Sequence, residues 1–186
     1  MKKSFAAVMI LLTTTTAMAQ EKLVARTGQA KIYSHTVAED ISAVNNTVTG
    51  LINTKSGELA IAVPVQGFQF EKSLMQEHFN QPNFMDSKQF PRISLKGRIS
   101  NLTAVNFAKE GNYEVTVEGD LTIKGVSKPV REVAHISVQG GKVTVHCKFV
   151  VKDICSFGVG KPMGKKKNNV ADDIEVTYEA KYDVEG

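Results

Sequence analysis

Residues 130–151 read VREVAHISVQGGKVTVHCKFVV, two runs of alternating apolar and polar residues joined by Gly140 and Gly141. Two central glycines favour a tight hairpin, because the turn types that match the strand twist need positive φ at both central positions. A turn at these glycines places Val138 opposite Val143, and apolar residues then face apolar residues along the hairpin. The stretch therefore predicts two antiparallel strands, each with one buried and one exposed face.

The inner face of this hairpin carries one charged residue. The same register places Glu132 opposite Phe149, and Ala134 opposite Cys147. A carboxylate on an inner face is expected either at an open rim or beside a polar group of a ligand, because burying an unpaired charge is unfavourable. Cys147 is predicted to be a small buried residue.

The outer face of the hairpin places His135 opposite His146. Two cross-strand imidazoles are close enough to share a divalent ion, but the sequence places no third ligand beside them. The motifs HExxH, GxSxG and a metal-type CxxC pair do not occur in the chain. The sequence therefore predicts no metal site and no recognisable catalytic motif.

Alternation with a period of two recurs in further stretches of the chain. Its apolar positions are Leu59, Ile61, Val63 and Val65; Ile93, Leu95 and Ile99; Tyr113, Val115, Val117 and Leu121; and Ile174, Val176, Tyr178 and Tyr182. Strands of a doubly wound parallel sheet are apolar on both faces, so this pattern excludes that architecture. We predict an all-β protein built from antiparallel strands.

One segment follows helical spacing instead. Over residues 71–80 the apolar face comprises Leu74, Met75, His78 and Phe79. Pro82 is expected to end this helix, and a second turn or short helix is expected before Pro91. This short helical insertion, around residues 71–88, is expected to close one end of a barrel.

Two segments carry a resemblance to a known family. Residues 78–97 read HFNQPNFMDSKQFPRISLKG, and residues 119–130 read GDLTIKGVSKPV. The matching positions are Phe79, Asn83, Phe84, Met85, Ser87, Phe90 and Pro91, then Gly119, Asp120, Leu121, Thr122, Ile123, Gly125, Val126, Lys128, Pro129 and Val130. On these residues the chain resembles the YceI-like family of periplasmic lipid-binding proteins. The resemblance implies an extended antiparallel β-barrel, lipocalin-like in outline, that encloses a tunnel for a long isoprenoid-type lipid.

The inward residues of the predicted strands are the candidates for lining such a tunnel, with Phe79 and Phe84 at its cap. They are Leu59, Ile61, Val63, Val65, Ile93, Leu95, Val115, Val117, Val145, Phe149, Val176 and Tyr178. Alternation alone fits a solid hydrophobic core equally well. The sequence therefore leaves open whether the barrel is hollow or filled.

The resemblance implies binding and sequestration or transport of a polyisoprenoid or an isoprenoid quinone in the periplasm, without enzymatic activity or a cofactor. An enzyme acting on apolar substrates is an alternative, and it would have to use Glu132, Cys147 or Tyr178. A second alternative is an extracytoplasmic stress-response or protein-interaction module that binds no lipid. The sequence leaves the oligomeric state open, with a homodimer among the alternatives.

The formal net charge of +4 is too balanced to predict binding to nucleic acid, which needs a concentrated basic face. Lysines cluster only locally, at Lys161 and residues 165–167. Each would contribute on the order of 1 kcal/mol beside an anionic membrane. A peripheral membrane contact is therefore one expectation for this loop, and an ordinary solvated loop is the other.

Residues 1–19 have the features of a signal peptide. Two lysines precede an apolar run over residues 5–12, and Ala-Met-Ala at residues 17–19 forms a small-x-small cleavage site. The apolar run is shorter than the roughly 20 residues needed to span a bilayer. We therefore expect a periplasmic or secreted protein whose single mature domain comprises residues 20–186.

An exported protein permits Cys147 and Cys155 to form a disulfide. On one straight strand their Cα atoms would lie roughly 26 Å apart, and a disulfide requires less than about 7 Å. A bond would therefore need a turn after Lys152, and the sequence leaves the pairing open.

The export hypothesis predicts the mass of the mature chain. Protein isolated from the periplasm should begin at Gln20, because cleavage follows the small-x-small site. Intact-mass spectrometry of the periplasmic and cytoplasmic fractions checks this. Full-length protein starting at Met1 as the major, cytoplasmic species would contradict it.

Overall fold

The computed structural model describes residues 22–36, 40–160 and 171–184. These residues form nine strands and one α-helix. The elements are β1 (Lys22–His35), β2 (Asp40–Asn53), β3 (Glu58–Pro64), β4 (Phe68–Phe70), α1 (Ser73–Asn80), β5 (Arg92–Ile99), β6 (Gly111–Ile123), β7 (Val126–Gln139), β8 (Lys142–Val151) and β9 (Ile174–Val184). The predictions that fall on residues 1–19 and on the lysines of residues 161–167 lie outside the described ranges.

Eight of the strands close into an antiparallel barrel in the order β1-β9-β8-β7-β6-β5-β3-β2, and β2 pairs back with β1. The short β4 extends the edge of β2 beyond β3, with Ala43 opposite Phe70. Every ladder is antiparallel, as the alternating sequence predicted. The predicted all-β class and barrel architecture are confirmed.

The hairpin turn also forms at the predicted glycines, and both have positive φ, 57° at Gly140 and 73° at Gly141. Its ladder runs from the pair Gln139–Lys142 only as far as Ala134–Cys147. The predicted continuation, with Glu132 opposite Phe149, was wrong as a backbone pairing. Beyond the last pair β7 remains bonded to β6 and β8 to β9, so the two strands follow their other neighbours and separate.

Strands β1 and β2 were not predicted, because each contains a bulge that breaks the period of two. In β1 the buried positions step from Ala25 to Gly28, and in β2 they step from Asn45 to Val48. The register between the two strands shifts in the same places. A bulge adds one residue to a strand and reverses its alternation, so the full pattern is not visible in the sequence.

Helix α1 lies at one end of the barrel, beside β4. It ends at Asn80, and hydrogen-bonded turns follow, in which the Met85 amide donates to the Phe79 carbonyl at 3.0 Å. Of the two predicted forms for the segment before Pro91, the turn is the one present. No helix in the described part of the chain has the length and apolar character needed to cross a membrane.

The chain does turn after Lys152, since Asp153 has a φ of 47° and a short 3-10 helix spans Ile154–Phe157. Cys147 and Cys155 are nevertheless both free. The Cys147 thiol donates to the Val133 carbonyl at 3.2 Å, whereas Cys155 lies beside the Gly160 carbonyl.

The two ends of the barrel interior differ. Near the hairpin turn at Gly140 it is solid, and Val138, Val143 and Tyr182 are almost completely buried. A second apolar cluster lies at the α1 end, behind the turns that follow the helix, and includes Met85 and Phe157. The space between the two clusters forms the candidate site.

One buried polar side chain holds β2 to the bend that follows β3. Asn45 is completely buried, and its Nδ2 donates to the Pro64 carbonyl at 2.7 Å. Its Oδ1 accepts hydrogen bonds from the Thr47 amide at 2.9 Å and from the Thr47 hydroxyl at 2.8 Å. All three bonds lie next to the β2 bulge, so the amide stabilises the break in alternation.

Replacing Asn45 with alanine should therefore destabilise the barrel. The change removes three hydrogen bonds and leaves empty space at a completely buried position, at a cost of about 2 to 4 kcal/mol. Urea denaturation of the parent and the variant measures this. Asn46→Ala is the matched control, since Asn46 is exposed and accepts one bond from Gln29, and an equal loss in both variants would contradict the assignment.

Candidate functional site

The barrel encloses a cavity of about 670 Å³ between the packed end and α1. Ligand sites in proteins occupy about 300 to 1,000 Å³, so the volume suits a sizeable organic molecule. Each of the nine strands contributes to the lining, which is predominantly apolar. The barrel is therefore hollow over part of its length.

All of the residues predicted to line a tunnel border this cavity, except Val65 and Val115. Strand β3 ends at Pro64, so Val65 begins a 3-10 turn and packs into the second cluster. Val115 points inward but is 1% exposed and belongs to the solid end. Val117, its neighbour on the same face of β6, lies nearer α1 and borders the cavity.

Several lining residues were missed because they lie on strands that the sequence did not reveal. They include Ala30 and Ile32 of β1, Ile41 and Ile52 of β2, and Phe68 and Phe70 of β4. After the bulge in β1, the alternation of Ala30, Ile32 and Ser34 is a sequence signal for this strand. It covers only three inward positions with mostly small side chains, so it is too weak to predict a strand from the sequence.

Helix α1 covers the cavity with its apolar face. Leu74 and Met75 border the cavity, yet no residue of the helix is fully buried. Phe79 is held by two aromatic contacts, edge-to-face with Phe68 at 5.4 Å and tilted against Phe70 at 4.9 Å between ring centroids. The predicted cap residues, Phe79 and Phe84, both border the cavity at this end.

Two tyrosines form the floor of the cavity. The Tyr178 and Tyr182 hydroxyls are 2.7 Å apart, and neither makes another hydrogen bond within the described residues. The Tyr182 hydroxyl lies over Gly50, where an added Cβ would come within 2.2 Å of it. One hydroxyl donates its hydrogen to the other, so the hydrogen of the second hydroxyl remains available to a ligand.

Burial raises the pKa of both phenols. The pKa of Tyr182 rises to about 12. The pKa of Tyr178 is raised by burial and, in addition, by the neighbouring Tyr182. Loss of a proton here would place an anion in an apolar interior.

Glu132 and Cys147 are further polar groups in the lining. Burial raises the pKa of Glu132. Burial, together with the negative charge of Glu132, raises the pKa of Cys147 to about 11. A thiol with so high a pKa is a weak nucleophile. The polar groups proposed for the enzyme alternative, Glu132, Cys147 and Tyr178, make no hydrogen bond to one another, so the described residues contain no nucleophile–base pair of this kind.

The outer face bears the histidine pair at the predicted register. His135 lies opposite His146, and the row continues to Glu114 on β6 and Glu179 on β9. Within the ranges that the structure describes, no three such side chains are grouped closely enough to hold a metal ion.

These features define a closed antiparallel β-barrel with a hollow, apolar half. The family model of the YceI-like domain matches residues 18–182, and the chain belongs to this family. The resemblance inferred from the two sequence segments is therefore confirmed.

Two solved structures share the fold at low sequence identity. A polyisoprenoid binding domain from Saccharophagus degradans superposes with a TM-score of 0.73 at 10% identity, covering 89% of this chain and 99% of that one. Burkholderia cenocepacia BcnA gives a TM-score of 0.69 at 17% identity, covering 83% and 95%. A curated relative, a UPF0312 protein of Shewanella denitrificans, is 23% identical over 128 residues, which is 64% of this chain and 62% of the relative. That match spans less than two thirds of the relative's length.

The tyrosine floor predicts a late ionisation step. Free tyrosine ionises near pH 10, whereas Tyr182 should ionise near pH 12. A raised folded-state pKa means that the stabilisation is complete below pH 10 and is lost as the pH rises towards 12, by roughly 3 kcal/mol for this group. Tyrosinate absorbance during alkaline titration measures the step.

Tyr182→Phe should reduce the amplitude of the late step by one tyrosinate, because the buried Tyr178 still ionises late. The matched control is Tyr113→Phe, which deletes a hydroxyl that bonds the Lys109 carbonyl instead, and it should leave the step in place. Ionisation of all four tyrosines together near pH 10 in the folded parent would contradict the buried pair.

Proposed function

We propose that this protein binds a long apolar lipid in its barrel and sequesters or carries it outside the cytoplasm. The observation that carries the proposal is the apolar cavity of about 670 Å³, solid at one end and covered by α1 at the other. A polyisoprenoid or an isoprenoid quinone is the ligand class we favour. The shared fold of the Saccharophagus degradans polyisoprenoid binding domain supports this choice.

The energetics are adequate for a lipid tail. Burial of apolar surface contributes about 25 cal/mol per Å². A tail that buries several hundred Å² would therefore bind with micromolar or better affinity after the loss of its own freedom is counted. The covering helix is the natural entrance, because α1 contributes no fully buried residue and its displacement would expose little core.

Binding without catalysis fits the site best. A hollow, apolar interior is what a lipid needs, and the few polar groups in it are not arranged as a nucleophile and its base. Location in the periplasm and contact with a membrane belong to the same proposal, and they are supported by the signal-peptide pattern of residues 1–19 and the lysines of residues 161–167.

A charge inside the cavity should abolish binding. Val117 borders the cavity, so Val117→Asp would place a carboxylate against the lipid tail. Organic extraction and mass spectrometry of the purified proteins should find lipid in the parent and none in the variant. Circular dichroism must show that the variant is folded.

The matched control is Val126→Asp, which makes the same change at an exposed position and should retain lipid. The carrier function would be wrong if the parent contains no lipid and also takes up neither added polyprenol nor added isoprenoid quinone. An interaction module would then be the better description.

A further inference from the structure

The barrel wall has a break between β7 and β8. Their ladder ends at the pair Ala134–Cys147, although β7 continues towards Val126 and β8 towards Val151. At the end of the ladder the Val133 carbonyl accepts a hydrogen bond from the Cys147 thiol. We call the region between residues 128–133 and 148–151 the side slot.

The inward residues on both edges of the side slot border the cavity. They are Val130 and Glu132 on β7, and Phe149 and Val151 on β8. Glu132 lies on the inward face of β7 between Val130 and Ala134, and its side chain is half-buried. Its carboxyl group therefore combines contact with the cavity and access to water, as a group at a wall opening would.

The cations that flank the side slot all have other partners. They are Arg131, which pairs with Glu118 at 2.5 Å; Lys148, which pairs with Glu175 at 2.9 Å; and Lys128, which donates to the Ser156 hydroxyl and lies 4.6 Å from the centroid of the Phe157 ring. Glu132 makes no hydrogen bond or ion pair with any residue in the described ranges. Among the charged groups of the slot edges, it is the one without a hydrogen bond or an ion pair to a described residue.

A lipid that fills the cavity would remove water from this carboxylate. That loss is unfavourable unless the ligand itself supplies a donor or a positive charge. An anionic head group in the same place would add like-charge repulsion. A carboxylate in this position would therefore discriminate between lipids by their head groups, whereas apolar walls discriminate little between tails.

We propose that the polar group of the bound lipid lies in the side slot against Glu132, and that the ligand is an amphiphile with a hydrogen-bond-donating alcohol or amine head. This inference rests on the proposed lipid-binding function and narrows it. Among isoprenoid compounds it selects alcohols, amines and reduced quinols over phosphates.

Three probes with the same chain test the inference: geranylgeraniol, geranylgeranylamine and geranylgeranyl phosphate. Their affinities for the delipidated mature protein are measured by calorimetry in mildly alkaline buffer, which keeps the carboxyl group ionised. The parent should bind the alcohol and the amine at least ten times more tightly than the phosphate. In Glu132→Gln the phosphate should gain about tenfold and the amine should lose about tenfold.

Glu114→Gln is the matched control, since Glu114 is an exposed residue of the neighbouring β6 and the substitution removes the same charge. It should leave the order of affinities unchanged, and circular dichroism verifies that both variants fold. Binding of all three probes with equal affinity, or tightest binding of the phosphate by the parent, would overturn the slot assignment and leave the lipid-binding function intact. Failure of all three to bind would overturn both.

Discussion

Pairing of β1 with β2 closes the sheet, and every other feature of the molecule depends on that closure. Eight strands joined into a ring have no free edge strand, and outside the side slot hydrogen bonding between strands determines the circumference. The inward side chains must then fill a fixed interior. Near the Gly140 turn they do so, with Tyr182 spanning the space to Gly50. Towards α1 they do not, and the remaining volume is the cavity.

Bulges and small residues in β1 and β2 set the position of the cavity floor. Gly50 leaves room for the Tyr182 ring, and the Tyr182 hydroxyl then meets Tyr178. Asn45 stabilises the bulge at which the inward–outward alternation of β2 reverses, because its side chain forms hydrogen bonds to its own strand and to the bend after β3. A buried amide is acceptable there since its hydrogen bonds are satisfied. The position of the Tyr182 ring, and with it the cavity floor, thus depends on the absence of a side chain at Gly50.

The chemistry of the interior is mostly that of hydrocarbon. Phe149, Val176 and their neighbours make apolar contacts that have no preferred direction. They therefore favour apolar ligands as a class and discriminate little among them. In the carrier that we propose, discrimination falls to the few polar groups, above all Glu132 at the break in the wall. A carrier differs from an enzyme in this respect, because it needs to recognise a head group and does not need to activate one.

The sequence by itself determined the features that depend on near neighbours along the chain. Alternation identified β3, β5, β6 and β9, two glycines set the β7–β8 register, and helical spacing with Pro82 located α1. Tertiary structure alone decided the rest. The bulges at Ala25–Gly28 and Asn45–Val48 hid β1 and β2, since alternation records which side of a strand a residue faces only while the period holds. Whether Val115 and Val117 line a cavity or fill a core depends on the distance across the closed barrel, and no local pattern encodes that distance.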